Sequence, residues 1–394
     1  MATTLALRRF VSSMAGGPER RVGFWLFSVG FGTNVPVTLL LVYQDHLHLG
    51  QSAITGLFGV YAVGLVPTLF IAGPIADRWG RRRITLPAVF GAAFVSALFI
   101  LAASSIELLF VARFLQGVVS GAGFSVGSVW LAEAAALDGS RTGARTTAVS
   151  MTAGFSSGSL VAGLLGEWAP DPLVLSYVLH VILSVIAIAA IWRTPETLLH
   201  STGIRIHRQV PIFRHGTRIA SVFALMTLAV CIYGFPASAI NALPILVGFP
   251  IFPVAATGIL SSMTLAAGAI AAPAQSRLGN RAGVIAATCG VFGFACAAAA
   301  AAVPTFAIAV VPSAILLGAG GGLALAASLS RVSSIATPSK LGTALAILYA
   351  CAYVGFGTPF TIAAIANTVP VLISFAVLAC VCGLLAWQQA HAKI

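Results

Sequence analysis

Twelve apolar runs of about 20 residues recur along this chain, and that recurrence constrains the fold more than any other feature. Twenty helical residues are what it takes to cross the ~30 Å hydrocarbon layer of a bilayer. The runs fall at about 23–43, 52–72, 84–103, 108–131, 146–166 and 173–192, then at about 219–239, 252–273, 284–303, 305–329, 341–365 and 369–387. With 59% hydrophobic residues, 8% charged residues and a mean hydropathy of +1.02, a water-soluble globule is excluded. Backbone groups in lipid must pair within their own segment, so the spans are helices. The expected class is all-α integral membrane, with twelve transmembrane helices.

Charge placement orients them. Basic residues are retained on the cytoplasmic side, while acidic residues bias topology little. If the amino terminus is cytoplasmic, every second loop is too, and those loops with both tails hold 20 of the 21 basic residues. Arg113, inside the fourth run, is the one left over. The formal charge of +12 is therefore a product of topology, and nucleic acid is not an expected partner. The organisation expected is a cytoplasmic tail over 1–22, a six-helix bundle over 23–192, a cytoplasmic central loop over 193–218, a second bundle over 219–387 and a cytoplasmic tail over 388–394. Arg8 and Arg9 have no long apolar run directly behind them, so the tail is not expected to be a cleaved signal.

The densest polar stretch is Gly73-Pro74-Ile75-Ala76-Asp77-Arg78-Trp79-Gly80-Arg81-Arg82-Arg83, read as a short loop at the membrane surface. Asp77 is the one acid among four arginines. The arginines could pair with Glu133 at the inner end of the fourth span, or with Glu196 after the sixth. Asp77 could meet the positive end of the eleventh span, just after Pro338. Anchoring of topology alone is the alternative account of Arg81, Arg82 and Arg83. The stretch also has a second copy: Pro273, Arg277, Gly279 and Arg281 repeat Pro74, Arg78, Gly80 and Arg82 at an offset of 199, with Ser276 in place of Asp77. Leu317, Gly318 and Gly322 follow Gln116, Gly117 and Gly121 by 201. Two related six-helix halves follow.

The pattern Gly-x-x-x-Asp-Arg-x-Gly-Arg-Arg resembles the signature between the second and third helices of the major facilitator superfamily. Pro195-Glu196-Thr197 resembles another signature of that family. Leu109-x-x-x-Arg113-x-x-Gln116-Gly117 is similar to the fourth-helix signature of its drug:proton antiporters. Gly154-x-x-x-Gly158-Ser159-x-x-Ala162-Gly163 resembles their fifth-helix signature, with Ser159 for a Pro and Ala162 for a Gly. Gly30, Pro36 and Val37 have the first-helix spacing of drug exporters, with Leu39 for a second Pro. The resemblance implies the major facilitator fold, with substrate held near mid-membrane, and gating roles for Gly73, Asp77, Arg78, Gly80, Arg81, Arg82, Glu133 and Glu196. It implies proton coupling at Arg113.

From the residues alone, an intramembrane Arg needs a cavity or partners, so Arg113 is a functional candidate, with a structural hydrogen-bonding role as the alternative. It lies about eight residues, roughly 12 Å, from the outer end of its span. Pro36 has no N–H, so the carbonyl of Gly32 lacks its helical donor. Arg113 is expected to fill that gap, with Asn34 and Gln116 completing a polar layer. Gly154, Gly158 and Gly163 are read as close-packing positions. Tyr233, Asn241, Tyr349 and Tyr353 are candidate cavity groups that suit an amphipathic or weakly polar ligand.

Other signals are set aside. Gly154-Phe155-Ser156-Ser157-Gly158 has the spacing of a serine-hydrolase elbow but lies mid-span, and no enzyme is expected. Asp45, His46 and His48 read as interfacial polar residues rather than a metal site. His180 reads as a packing residue. The six cysteines form no Cys-x-x-Cys pair and read as small packing groups. No Gly-x-x-x-x-Gly-Lys-Ser/Thr segment occurs, and no cofactor is expected.

The expected function is secondary active transport: export of a small amphipathic compound or metabolite by proton antiport, working as a monomer in the cell membrane. Proton antiport calls for a titratable group within the membrane, and the acids Asp45, Glu107, Glu167, Asp171 and Glu133 all lie near span ends. Asp45 or Glu107 would have to reach inward, or Arg113 act with a substrate group. The rivals are a facilitator or proton-coupled importer of a polar metabolite and, from another class, a non-transporting membrane receptor.

Overall fold

A computed structural model of the chain describes residues 17–137, 143–197, 211–214, 216–242, 252–302, 308–337, 341–366 and 368–392. They fold as two compact units, divided between Thr202 and Gly203. Unit 1 contains α1 (Pro18–Thr38), α2 (Leu40–Leu47), α3 (Gln51–Trp79), α4 (Arg81–Leu101), α5 (Ile106–Ala122), α6 (Ser128–Leu137), α7 (Gly143–Trp168) and α8 (Pro172–Trp192). Unit 2 contains α9 (Ile219–Ala237), α10 (Pro253–Ala271), α11 (Gln275–Leu278), α12 (Ala282–Ala302), α13 (Val310–Ile335), α14 (Leu341–Gly355), α15 (Thr358–Ile365) and α16 (Val371–His391).

Among the described residues, each of the twelve apolar runs falls on one of these helices or on a consecutive pair. By length and composition, nine helical stretches among the described residues can cross a bilayer, or ten if α1 and α2 are one span bent by 42°. One of these stretches, Pro253–Ala302, carries two of the expected runs. The eleventh run is divided into α14 and α15, each too short to be counted alone. The bend between α1 and α2 comes at Leu39, three residues past Pro36. The fourth run is α5 and α6 joined by a π-helical turn, Gly123–Gly127.

Several boundaries differ from expectation. The stretch from Gly73 to Arg83 is not a loop. Helix α3 runs through Pro74 and Asp77 to Trp79, and α4 starts at Arg81. The chain turns on Gly80 alone, whose φ of 103° suits glycine best. At the amino end, helix begins at Pro18 rather than Gly23; residues 1–16 of the expected tail lie outside the described residues. Helix α16 continues to His391, past the expected end at Trp387. Most of the expected central loop also lies outside them. One described part, 211–214, lies along the end of α13: Arg214 N–H donates to the Ile335 carbonyl at 2.9 Å, and Thr337 N–H to that of Ile212 at 2.9 Å.

Glycines set the helix packing. In unit 1, a Cβ on Gly154 or Gly158 would collide with the α1 backbone at Phe27 and Phe31, and one on Gly117 would collide with the Tyr61 carbonyl of α3. Bare backbone here lets helices approach without a side chain between them. Unit 2 repeats the second of these contacts: a Cβ on Gly318 or Gly322 of α13 would strike the α10 backbone at Thr264 or Gly268. The pairs 117/121 and 318/322, related by the sequence repeat, therefore perform one packing task in both units.

Candidate functional site

The buried polar layer of unit 1 is built around Arg113, which is only 4% exposed. Ser105 caps α5, accepting from Leu108 N–H, and Arg113 lies two turns further on. Its Nε donates to the Leu57 carbonyl of α3 at 3.3 Å, and its Nη1 to Gln116 Oε1 at 2.6 Å. The guanidinium lies over the rings of Tyr61 and Phe58, 4.8 and 5.6 Å from their centroids. It also edges a small crevice shared with Pro36, Leu40, Tyr43 and Leu109. No carboxylate forms an ion pair with it among the described residues.

The donor that meets the Gly32 carbonyl is not Arg113. Gln116 Nε2 donates to it at 2.7 Å, while its Oε1 accepts a hydrogen bond from Arg113 Nη1. The amide orientation is fixed chemically, because a guanidinium only donates and a carbonyl only accepts. Arg113 thus acts on α1 through Gln116. Asn34 is not part of that layer either: its Nδ2 donates to the Phe155 carbonyl at 3.2 Å and Ser159 Oγ at 3.1 Å, both on α7. Ser159 stands where the antiporter signature has proline, and its hydroxyl is what Asn34 finds.

Groups the sequence did not single out complete the layer. Thr33 and Ser120 share a hydrogen bond of 3.0 Å, and the Tyr43 hydroxyl donates to that of Tyr177 at 3.1 Å. Against Gly32 lies the His180 ring, which leaves no room for a Cβ. His180 Nε2 donates to the Ser28 carbonyl at 2.9 Å, so Nδ1 accepts from Ser96. Both ring nitrogens are satisfied in the neutral tautomer, which fits the packing role expected of it. The signal that could have located Tyr61 was the set of glycines between α3 and α5: Gly64 seats against Phe114, Gly117 against Tyr61 and Gly121 against Leu65.

At the other end of unit 1 the charged residues converge. Arg81, 6% exposed, bonds Asp77 Oδ1 through Nη1 at 2.6 Å and Glu133 Oε1 through Nη2 at 2.9 Å. Glu196 caps α4, accepting Arg81 N–H and Arg82 N–H at 3.0 Å each. Arg82 Nη2 donates to the Trp192 carbonyl at 2.7 Å. A Cβ on Gly80 would strike the Glu196 carboxylate. Both expected acids therefore meet the arginine stretch, the Glu133 carboxylate at the Arg81 guanidinium and the Glu196 carboxylate at the Arg81 and Arg82 backbone N–H groups. Arg78 and Asp77 are exposed. A Cβ on Gly73 would meet nothing within 4 Å. Pro338 lies outside the described residues.

In unit 2, the Tyr233 and Tyr353 rings lie 4.9 Å apart, with Tyr349 one turn before Tyr353 and half-buried. Asn241 falls in a π-helical turn, Ser238–Ala242, but its side chain lies outside the described residues. Gly163 is buried on α7. Asp45 is exposed at the end of α2, and Glu107 is exposed with its carboxylate on Ser105, so neither reaches inward.

Paired helical units with glycine-seated spans and a buried Arg113 are the architecture of a polytopic membrane protein. The profile of the Major Facilitator Superfamily matches residues 22–358, and the chain belongs to that family, which makes it a transporter of the secondary type rather than an enzyme. No curated protein matches it. Among solved structures it is similar to a point mutant of the nucleoside transporter NupG, at 13% identity and a TM-score of 0.72, over 95% of this chain and 100% of that one. It is also similar to the POT family transporter PepTSo, at 12% identity and a TM-score of 0.74, over 95% and 97%. An auto-inhibited POT family peptide transporter matches at 12% identity and 0.72, over 96% and 97%. At such identities the likeness is one of fold.

Proposed function

We propose that this chain exports a small amphipathic compound by proton antiport, through rocker-type alternating access of its two six-helix halves. The observation that carries the reading is the Arg113–Gln116–Gly32 chain, which ties a buried cation to the bent first span. A guanidinium held by carbonyls and aromatic rings instead of a carboxylate is an intramembrane charge still open to a counter-charge, and such residues mark substrate or ion pathways. Tyr233, Tyr349 and Tyr353 supply the weakly polar surface an amphipathic ligand needs. The charged corner around Arg81 is assigned to gating. The protein is placed in the cell membrane as a monomer, with both termini and the central loop cytoplasmic, in agreement with the positions of the basic residues.

A facilitator, or an importer of a polar metabolite, is the second reading, and one observation favours it. Asp45 and Glu107 are exposed at span ends, which leaves proton antiport without a carboxylate carrier among them. Purified protein in liposomes holding a pH-sensitive dye, screened with a compound library, separates the two. Antiport predicts proton movement that starts with substrate and stops in Arg113→Ala. Substrate flux without proton movement selects the facilitator.

A further inference from the structure

The two units differ sharply in charge. All nine acidic residues of the chain lie at or before Glu196, so unit 2 holds nine basic residues and no acid. Topology requires the arginines but not this loss of every carboxylate. Its consequence is visible where the repeat allows comparison. In unit 1 three acids surround the start of α4: Asp77, Glu133 and Glu196. In unit 2 the residue in register with Asp77 is Ser276. Where α5 and α6 bring Glu133 to Arg81, α13 brings Arg331, whose Nη2 donates to the carbonyl of Asn280, the residue in register with Arg81. Glu196 follows Trp192 by four residues, and His391 follows Trp387 by four.

This acid-free corner adjoins an apolar surface. Arg331 also bonds Gln389 of α16, which brings the start of α12 and the end of α16 to one level. Helices α12 and α16 pack along each other. Val377, Leu384, Trp387 and His391 lie along one exposed face of α16, with Leu384 at 70% and Trp387 at 65% exposure. Arg281, at the start of α12, and Arg277, on α11 before the turn at Gly279, are exposed and make no hydrogen bond or ion pair among the described residues. The Trp387 and His391 rings lie tilted against each other with centroids 4.6 Å apart, and tryptophan favours the headgroup level of a bilayer.

We infer that this corner binds an anionic phospholipid, its phosphate held by Arg277 and Arg281 where unit 1 has its own Glu196 carboxylate, and its acyl chain lying along the Val377–Leu384–Trp387 face. A lipid fits better than a soluble anion, because the basic pair lies at the same end of the packed helices α12 and α16 as the exposed apolar face of α16, a level set by the bonds of Arg331 to Asn280 and Gln389. The site does not depend on what the protein transports.

Native mass spectrometry of the full chain, titrated with palmitoyl-oleoyl phosphatidylglycerol or phosphatidylcholine, tests it. Phosphatidylglycerol should be retained preferentially. Arg281→Gln should weaken retention about fivefold and the Arg277→Gln/Arg281→Gln pair about 25-fold, following the usual contribution of a basic residue near anionic lipid. Arg83→Gln, the same charge change on an exposed residue of unit 1, should leave it unchanged. His391→Glu, which supplies the carboxylate of unit 1 without removing an arginine, should expel the lipid. Equal retention of the two lipids, an Arg83→Gln effect as large as that of Arg281→Gln, or full retention in His391→Glu would each overturn the assignment. So would inorganic phosphate binding that the same arginine variants abolish and that phosphatidylglycerol does not displace.

Discussion

Gln116 Nε2 donates to the Gly32 carbonyl across 2.7 Å, supplying from α5 the proton that Pro36 cannot supply from α1. A buried carbonyl without a donor costs about 1–3 kcal/mol, and more is at stake here because Arg113 bonds the same amide. Gln116→Ala should therefore lower the thermal unfolding midpoint and abolish transport. Pro36→Ala restores an N–H four residues after Gly32, so the double variant should lose less than the sum of the singles, by about 1 kcal/mol. Additive losses would mean that Gln116 does not serve the proline gap.

Arg113 couples to that bond through a planar fork: Nε to the Leu57 carbonyl, Nη1 to Gln116, the plane resting on Tyr61. An ammonium cannot reproduce two bonds in fixed directions together with ring stacking. Arg113→Ala is expected to disable transport, and Arg113→Lys to recover little of it, in protein that still inserts. Near-normal flux in the Lys variant would reduce Arg113 to a point charge.

The difference between Arg113 and Gln116 marks how far the sequence could be read. The span pattern was legible because each run must satisfy its backbone alone. The identities in the polar layer were legible because polar groups in lipid are rare. Their pairing was not. Arg113 and Gln116 share one face of α5, and reasoning from donor number favours the guanidinium for Gly32. What draws it away is the Leu57 carbonyl and the Tyr61 ring on α3, brought close by Gly64, Gly117 and Gly121. Spacing within one helix carries no record of such a neighbour. The end of α3 was misread for a similar reason: Gly73, Pro74 and the charges look like a loop, yet only Gly80 has a backbone that must turn.

Close packing of α1 on α7 gives a contrast between glycines. A Cβ on Gly158 would fall on the backbone of Phe31, which cannot move aside as a side chain could. Gly158→Ala should cost the upper part of the usual range of about 1–3 kcal/mol for overpacking, or prevent folding, seen as lost expression and a lowered unfolding midpoint. Gly73→Ala, into open space within α3, should leave the fold unchanged or more stable by up to about 1 kcal/mol. Equal stability of the two variants would contradict the α1–α7 contact.

Asp77 separates stability from function most cleanly. Its side chain is 43% exposed and bonds Arg81 Nη1 at 2.6 Å, four residues on across the Gly80 turn. A half-exposed pair of this kind contributes about 0–1 kcal/mol, and Arg81 keeps Glu133 when Asp77 is neutralised. Asp77→Asn should therefore insert, accumulate and unfold at close to the wild-type temperature. Transport is expected to fall severely, because the carboxylate helps fix which way Arg81 points at the end of the unit assigned to gating. Glu133→Gln removes the other anchor and should slow transport similarly, at a larger cost in stability, since Arg81 loses a two-oxygen acceptor and Thr197 its carboxylate partner. Initial rates in liposomes, normalised to inserted protein, check both. Wild-type flux in Asp77→Asn would leave this carboxylate as a helix-end ion pair and nothing more.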